Sequence, residues 1–184
     1  RGDAEAAAAA VRSAFREDPD VLVIEDLRTA EIVSVAIEAA ESGRLVLGSL
    51  SAPSTVAAIE RLVELFSPER RAQVQTALAG ALRGVVAQVL LRKMKGGRIA
   101  AREVLLNTPA VASLILENRM FQLPVALEAG RRHGMVPLND SLTALVRDGT
   151  VHVAEAYRKA LDREALLSLL KRDGIDTSFA ERLA

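Results

Sequence analysis

The sequence predicts an α/β fold: a parallel sheet interleaved with helices, then an antiparallel hairpin, then a small helical part. Three observations predict it. Val21–Ile24 and Arg44–Leu50 are short, nearly continuous apolar runs rich in Val, Ile and Leu, the pattern of strands buried on both faces. A helical pattern follows each of them, and strand–helix–strand–helix is the order a parallel sheet requires. Lys95-Gly96-Gly97 is a turn signal between two further strand-like runs, Val85–Leu91 and Ile99–Leu106, which together read as a β-hairpin.

The elements can be justified in order. The stretch from Ala4 to Phe15 is alanine-rich, carries Val11 and Phe15 four residues apart, and should end before Pro19. A helix is expected from Thr29 to Glu41, with Ile32, Val35, Ala36 and Ala39 on one face and Gly43 as its stop. Pro53 is expected in the first turn of the next helix, which turns Val56, Ile59, Val63 and Phe66 inward. Ser67-Pro68-Glu69 is a helix start of cap, first-turn proline and acid, with Val74, Leu78 and Leu82 inward. After the hairpin, helices are expected from Thr108 to Glu117, Met120 to Ala129, Leu138 to Arg147, His152 to Ala160 and Arg163 to Lys171, punctuated by Gly130, Gly134, Gly149 and Gly174. Pro124 should kink its helix or delay its start. A boundary is expected near residue 107, with 1–107 as the mixed α/β part and 108–184 as the helical part.

Composition narrows the function. The chain has 184 residues, half of them apolar but only 3% aromatic, so its core is built from Ala, Val, Leu and Ile. Acids and bases balance at 24 each, without the basic excess of a nucleic-acid-binding domain, and nucleic acid is not expected as a partner. The absence of cysteine excludes disulfides and thiolate metal sites. No apolar run approaches the roughly 20 residues of a membrane span.

One segment carries chemistry. Asp18-Pro19-Asp20 leads into the apolar run Val21–Ile24, which ends in Glu25-Asp26-Leu27-Arg28. An apolar strand ending in acids has the form of a Walker B element, which holds a carboxylate where it can orient water or Mg²⁺ beside a nucleotide γ-phosphate. In parallel sheets ligands sit beyond the carboxyl ends of the strands, where both Glu25-Asp26 and Ser49-Leu50-Ser51 fall.

From Asp3 to about Leu161 the sequence resembles the motor ATPases of type II secretion and of type IV pilus assembly and retraction. The resemblance is carried by Asp18-Pro19-Asp20, by Glu25-Asp26-Leu27-Arg28-Thr29 and by Ala39 through Ser51. It continues in Leu82 through Gln88, Gly96 through Leu105, Thr108 through Glu117 and Gly134 through Leu142. It implies a partial RecA-like P-loop NTPase core, made of a parallel sheet plus the antiparallel hairpin, followed by a small helical subdomain. It also implies a hexameric ring that hydrolyses ATP with Mg²⁺ in the cytoplasm and docks on an inner-membrane platform protein.

Residue by residue, the resemblance places Asp26 at the family's catalytic acid and at Mg²⁺, Glu25 beside it, and Arg28 at the retained arginine. Ser51 stands at the γ-phosphate sensor. The helix motif that retraction motors need falls on Ala110, Val111, Leu114, Ile115 and Glu117. The departures are as informative. Asp26 is one methylene shorter than the family's glutamate, Thr29 replaces an aspartate, and Arg44 and Ser51 replace two histidines. The glycine-rich phosphate loop ending in Gly-Lys-Ser/Thr occurs nowhere in the 184 residues. These residues are therefore expected to be the C-terminal half of a longer protein and to bind no ATP or Mg²⁺ alone. An alternative function is a degenerate, non-hydrolysing ring subunit that acts as a structural or regulatory partner.

Elsewhere, His133 and His152 lack partners at metal-ligand spacing and read as structural. Arg92, Lys93, Lys95 and Arg98 make a basic hairpin tip, solvated or in contact with an acidic partner.

Overall fold

Caps and turns in the sequence set the ends of nearly every element. The computed structural model describes residues 2–182. Helix α1 spans Gly2–Arg16 and stops ahead of Asp18, which takes a left-handed φ of 53°, and of Pro19. The side chain of Phe15, expected to share a face with Val11, lies outside the described residues. Strand β1 (Val21–Ile24) follows, then α2 (Ala30–Glu41), whose Thr29 hydroxyl accepts the Ile32 N–H at 3.4 Å as an N-cap. Gly43 (φ 96°) turns the chain into β2 (Leu45–Gly48). The two strands are parallel, with Val21 opposite Leu45 and Ile24 opposite Gly48.

Helix α3 (Thr55–Glu64) starts later than Pro53 suggested. Ser54 is the N-cap and accepts from the Ala57 N–H at 3.1 Å, so Pro53 stands just outside the helix. Helix α4 (Pro68–Ala81) has proline in its first turn, as expected. Strands β3 (Gly84–Arg92) and β4 (Arg98–Leu106) form the hairpin, and α5 (Pro109–Leu116) is capped by the Thr108 hydroxyl. A short 3₁₀ turn precedes α6 (Leu123–Ala129), which begins one residue before Pro124, so the proline delays the helix rather than kinking it. Helices α7 (Leu138–Arg147), α8 (Val153–Lys159) and α9 (Arg163–Arg172) follow, and a 3₁₀ helix, Ser178–Arg182, comes after them. Among the described residues no helix is long and apolar enough to cross a membrane.

Packing divides the chain into two compact units, Arg1–Gly84 with Leu106–Ala126, and Val85–Leu105 with Leu127–Ala184. The units interleave along the sequence, a different division from a single boundary near residue 107. In the first, Ile24 packs with Ala8, Ile32 and Ala36, so α1 and α2 cover one face of β1. The opposite face is open: Val23 is 74% exposed, and Val21, Leu45 and Leu47 about half exposed. The expectation that both strands are buried on both faces is therefore corrected. Among the described residues these two strands make a sheet covered on one side only.

Also in the first unit, α4 and α5 pack along each other through Val74, Leu78, Val111 and Ile115, all buried. The chain segments flanking α5 are tied to α4 by side chains. Asn107 Nδ2 donates to the carbonyls of Ala79 (3.0 Å) and Leu82 (2.8 Å), orphaned at the end of α4. Beyond α5, buried Gln75 donates to Asn118 Oδ1 at 2.7 Å, and Asn118 takes a φ of 54°.

In the second unit one apolar cluster joins the hairpin to the helices: Leu91 and Ala101 from the strands with Leu138, Leu142, Ala156, Leu166 and Leu170. Leu142 is fully buried at its centre. Replacing it by alanine removes its transfer free energy and leaves a cavity, so Leu142→Ala should destabilise the protein by about 2–5 kcal/mol in urea unfolding monitored by circular dichroism.

Candidate functional site

The site is built where β1 and β2 end. Past Ile24 the chain leaves the sheet, and Ser49, the residue after β2, catches it three times. The Ser49 N–H donates to the Ile24 carbonyl at 3.1 Å, and its carbonyl accepts the Leu27 N–H at 2.8 Å. Its hydroxyl donates to the Glu25 carbonyl. The backbone of 24–27 is thus fixed to the tip of the neighbouring strand, and the side chains of Glu25 and Asp26 are left to face solvent.

Gly48 makes this closeness possible. A Cβ there would fall 2.8 Å from Leu27 Cγ and nearer still to Cδ1, so Leu27 lies where a side chain at 48 would be. Leu27 in turn packs against the Ile24–Ile32 cluster, which anchors the loop from below.

An open cleft of about 730 Å³ lies over these ends. Glu25, Asp26 and Arg28 line it from the β1 side, Ser49, Leu50 and Ser51 from the β2 side, and Ala10, Val11 and Ile32 from the helices. Asp26 and Arg28 form an ion pair at 3.3 Å (Oδ2 to Nε), with side chains 49% and 70% exposed. Such an exposed pair contributes little to stability. Its effect is to orient Asp26 along the cleft wall. Beyond β2, the Ser51 carbonyl accepts from Arg61 Nη1 of α3 at 2.8 Å, which sets the path of this second wall.

The structure thus brings Glu25, Asp26, Arg28 and Ser51 into one cleft. Arg44 stands elsewhere. It pairs with Asp18 and donates to Ser42 Oγ at 3.1 Å, at the amino ends of the strands, opposite the cleft. Three contributors were not assigned roles from sequence: Ser49, Gly48 and Arg61. The sequence pattern puts Ser49 at the end of β2, but its threefold tie depends on strand register, which spacing along the chain does not reveal. Among the described residues no group of three or more His, Cys, Asp and Glu side chains could hold a metal.

The residues of the helical motif divide by side. Val111 and Ile115 are buried against α4, Leu114 is half-buried, and Ala110 and Glu117 are exposed. Glu117 accepts from the Ser113 hydroxyl at 2.7 Å and pairs with Arg119 at 3.1 Å. The hydroxyl first, and the guanidinium second, hold its carboxyl below the usual glutamate range.

An acid-tipped strand parallel to a second strand, with helices on one face and an antiparallel hairpin later in the sequence, agrees with the RecA-like fold of the solved structures it matches. The family described as type II/IV secretion system protein matches residues 3–100, and the chain belongs to it. It is 39% identical over 151 residues to the type IV pilus retraction ATPase PilT of Pseudomonas aeruginosa, covering 82% of this chain and 44% of that protein. It is 37% identical to a twitching motility protein of Neisseria gonorrhoeae, covering 85% of this chain and 42% of that one. The fold superimposes on a crystal structure of the pilus retraction motor PilT with bound ADP at a TM-score of 0.79 and 33% identity, over 86% of this chain and 45% of that chain. It also matches the ATPase DotB of Yersinia pseudotuberculosis at 0.72 and 29%, over 83% and 40%. The chain spans less than half the length of the relatives it matches here.

Two predictions follow from this geometry. Gly48→Ala should force Leu27 out of its seat and destabilise the protein by about 1–3 kcal/mol, and Leu27→Ala in the same molecule should cost less than the two single changes added together. Chemical unfolding of the four proteins of this cycle checks it. For Glu117, folding depresses the pKa, so the stabilisation it gives is full above the ordinary value of 4.5 and fades as the pH falls through the folded value. Ser113→Ala should raise the Glu117 pKa toward that ordinary value in a carboxyl NMR titration.

Proposed function

We propose that this chain supplies the C-terminal part of a ring-forming, hexameric motor that hydrolyses ATP to drive type IV pilus assembly or retraction, or type II secretion. The observation that carries the reading is Asp26 in a solvent-open cleft at the carboxyl end of β1, with Ser49 and Ser51 across it on the loop that follows β2. Family membership and the likeness to pilus retraction ATPases support the same reading.

In this reading Asp26 orients the attacking water or a water-bound Mg²⁺. Arg28 holds Asp26 in place, and Glu25 supplies a second negative charge to the cleft. Ser51 stands where the γ-phosphate is sensed and donates a hydrogen bond, though it cannot carry a proton at neutral pH as an imidazole can. Mg²⁺, when bound, neutralises charge on the β- and γ-phosphates. Two carboxylates, Glu25 and Asp26, and the hydroxyls of Ser49 and Ser51 would fit contact with such a metal through water. They do not replace a phosphate loop, and no such loop occurs in the 184 residues. A triphosphate therefore needs further residues to hold it. The exposed side of α5, with Ala110 and Glu117, is the motor's partner face. The motor works in the cytoplasm, against an inner-membrane platform protein.

A second reading is favoured by one observation. The Asp26 carboxylate is engaged by Arg28, and the cleft position across from it holds Ser51 where the family has a histidine. The chain then belongs to a ring subunit that binds nucleotide without turning it over.

ATP turnover and ATP binding separate the two readings, measured on the protein that carries these residues together with a phosphate loop. The motor reading expects turnover, and Asp26→Asn should lower kcat by about 10²–10⁴-fold with binding kept. Binding without turnover in the unaltered protein makes the second reading correct, and undiminished turnover in Asp26→Asn removes Asp26 from the chemistry.

A further inference from the structure

The β3–β4 turn concentrates charge that the rest of the chain balances. Between Glu69 and Glu103 the sequence contains no acid and eight bases, in a chain whose acids and bases are equal in number. Four of the eight, Arg92, Lys93, Lys95 and Arg98, stand at the hairpin tip, and all four are exposed. None of their side chains makes an ion pair or hydrogen bond among the described residues. Several arginines elsewhere are paired, as in Arg131 with Asp140 and Arg119 with Glu117. Met94, 62% exposed, stands between the two lysines.

The tip is braced. Lys93 N–H donates to the Gly97 carbonyl at 3.1 Å, and Gly96 N–H returns to the Lys93 carbonyl at 3.2 Å. Gly96 and Gly97 both take positive φ (85° and 75°), which lets the turn close. The turn is also tied to the loop before α8 and to α8 itself. Met94 N–H donates to the Thr150 carbonyl at 3.0 Å, and Glu155 accepts the Arg92 backbone N–H at 3.1 Å. Glu155 is thus engaged by the Arg92 backbone through one oxygen and by Arg158 through the other, and not by the side chains of the tip. A Cβ on Gly96 would meet nothing within 4 Å, so the turn is open at that residue. A fixed backbone that presents four unpaired cations loses little order when it is engaged.

We propose that this turn is a docking knob for an acidic segment of a protein partner. Arg92, Lys93, Lys95 and Arg98 pair with its carboxylates, and Met94 packs against an apolar side chain between them. The two other polyanions fit less well. Residues 67–120 contain no aromatic side chain, so the knob has neither the stacking platforms of a single-strand binder nor the aromatic anchors of a membrane-surface element. The proposal does not depend on the nucleotide chemistry of the cleft.

The test uses the 184-residue chain and a fluorescent peptide of mixed glutamate and leucine, read by anisotropy. The unaltered chain should bind the peptide, and added salt should weaken binding. The double change Lys93→Glu with Lys95→Glu should weaken it at least about tenfold, and Met94→Ser should weaken it without changing its salt dependence. A control with the same change of charge, Lys159→Glu with Lys171→Glu, should move it by less than about twofold. Circular dichroism should be unaltered throughout, since all these side chains are exposed. No binding, equal loss in both double variants, or tighter binding to anionic phospholipid vesicles or to an oligonucleotide at equal probe charge overturns the proposal.

Discussion

The cleft depends on one local constraint, the threefold attachment of the 24–27 backbone to Ser49. A four-residue strand has few ladder hydrogen bonds and would fray at its end without further ties. Here the end that carries the acids is bonded to the adjoining strand through main chain and side chain alike. Those bonds fix where Asp26 emerges, and the Asp26–Arg28 pair then needs only to set its direction. Gly48 and Leu27 serve the same constraint from beneath, one by leaving room and the other by filling it.

Much of the fold was legible because its signals are local. Thr29, Ser54, Thr108 and Asp162 cap helices with their own side chains, and such residues can be recognised without knowing what lies across the core. Strand burial is a different kind of property. Val21, Val23, Leu45 and Leu47 have the composition of an enclosed sheet, yet whether a face is enclosed depends on which elements lie over it. The same holds for the grouping of the hairpin with α7–α9. Leu91 and Ala101 share a core with Leu142 and Leu170, a fact of three-dimensional packing that a change of character near residue 107 does not reveal.

The candidate site was legible to the extent that its chemistry is carried by residue type at a strand end. Asp26, Glu25, Arg28 and Ser51 could be named from sequence, and they converge on one cleft. The supports could not. Arg61 reaches Ser51 from ten residues away along the chain, and Ser49 reaches Glu25 across a strand register. Neither side chain has a distinctive neighbourhood in the sequence. Arg44 shows the converse: it occupies a family position of interest, but its place at the amino ends of the strands gives it a bracing task with Asp18.

The ties at Asn107 and Asn118 bear on how firmly α5 is held. Both connect the segments flanking α5 to a single neighbour, α4, one through carbonyls at its end and the other through a buried glutamine within it. Two helices joined in this way are pinned at both ends of the shorter one, so α5 cannot slide along α4 without breaking a side-chain hydrogen bond. The exposed side of α5 is therefore presented at a set register against its neighbour.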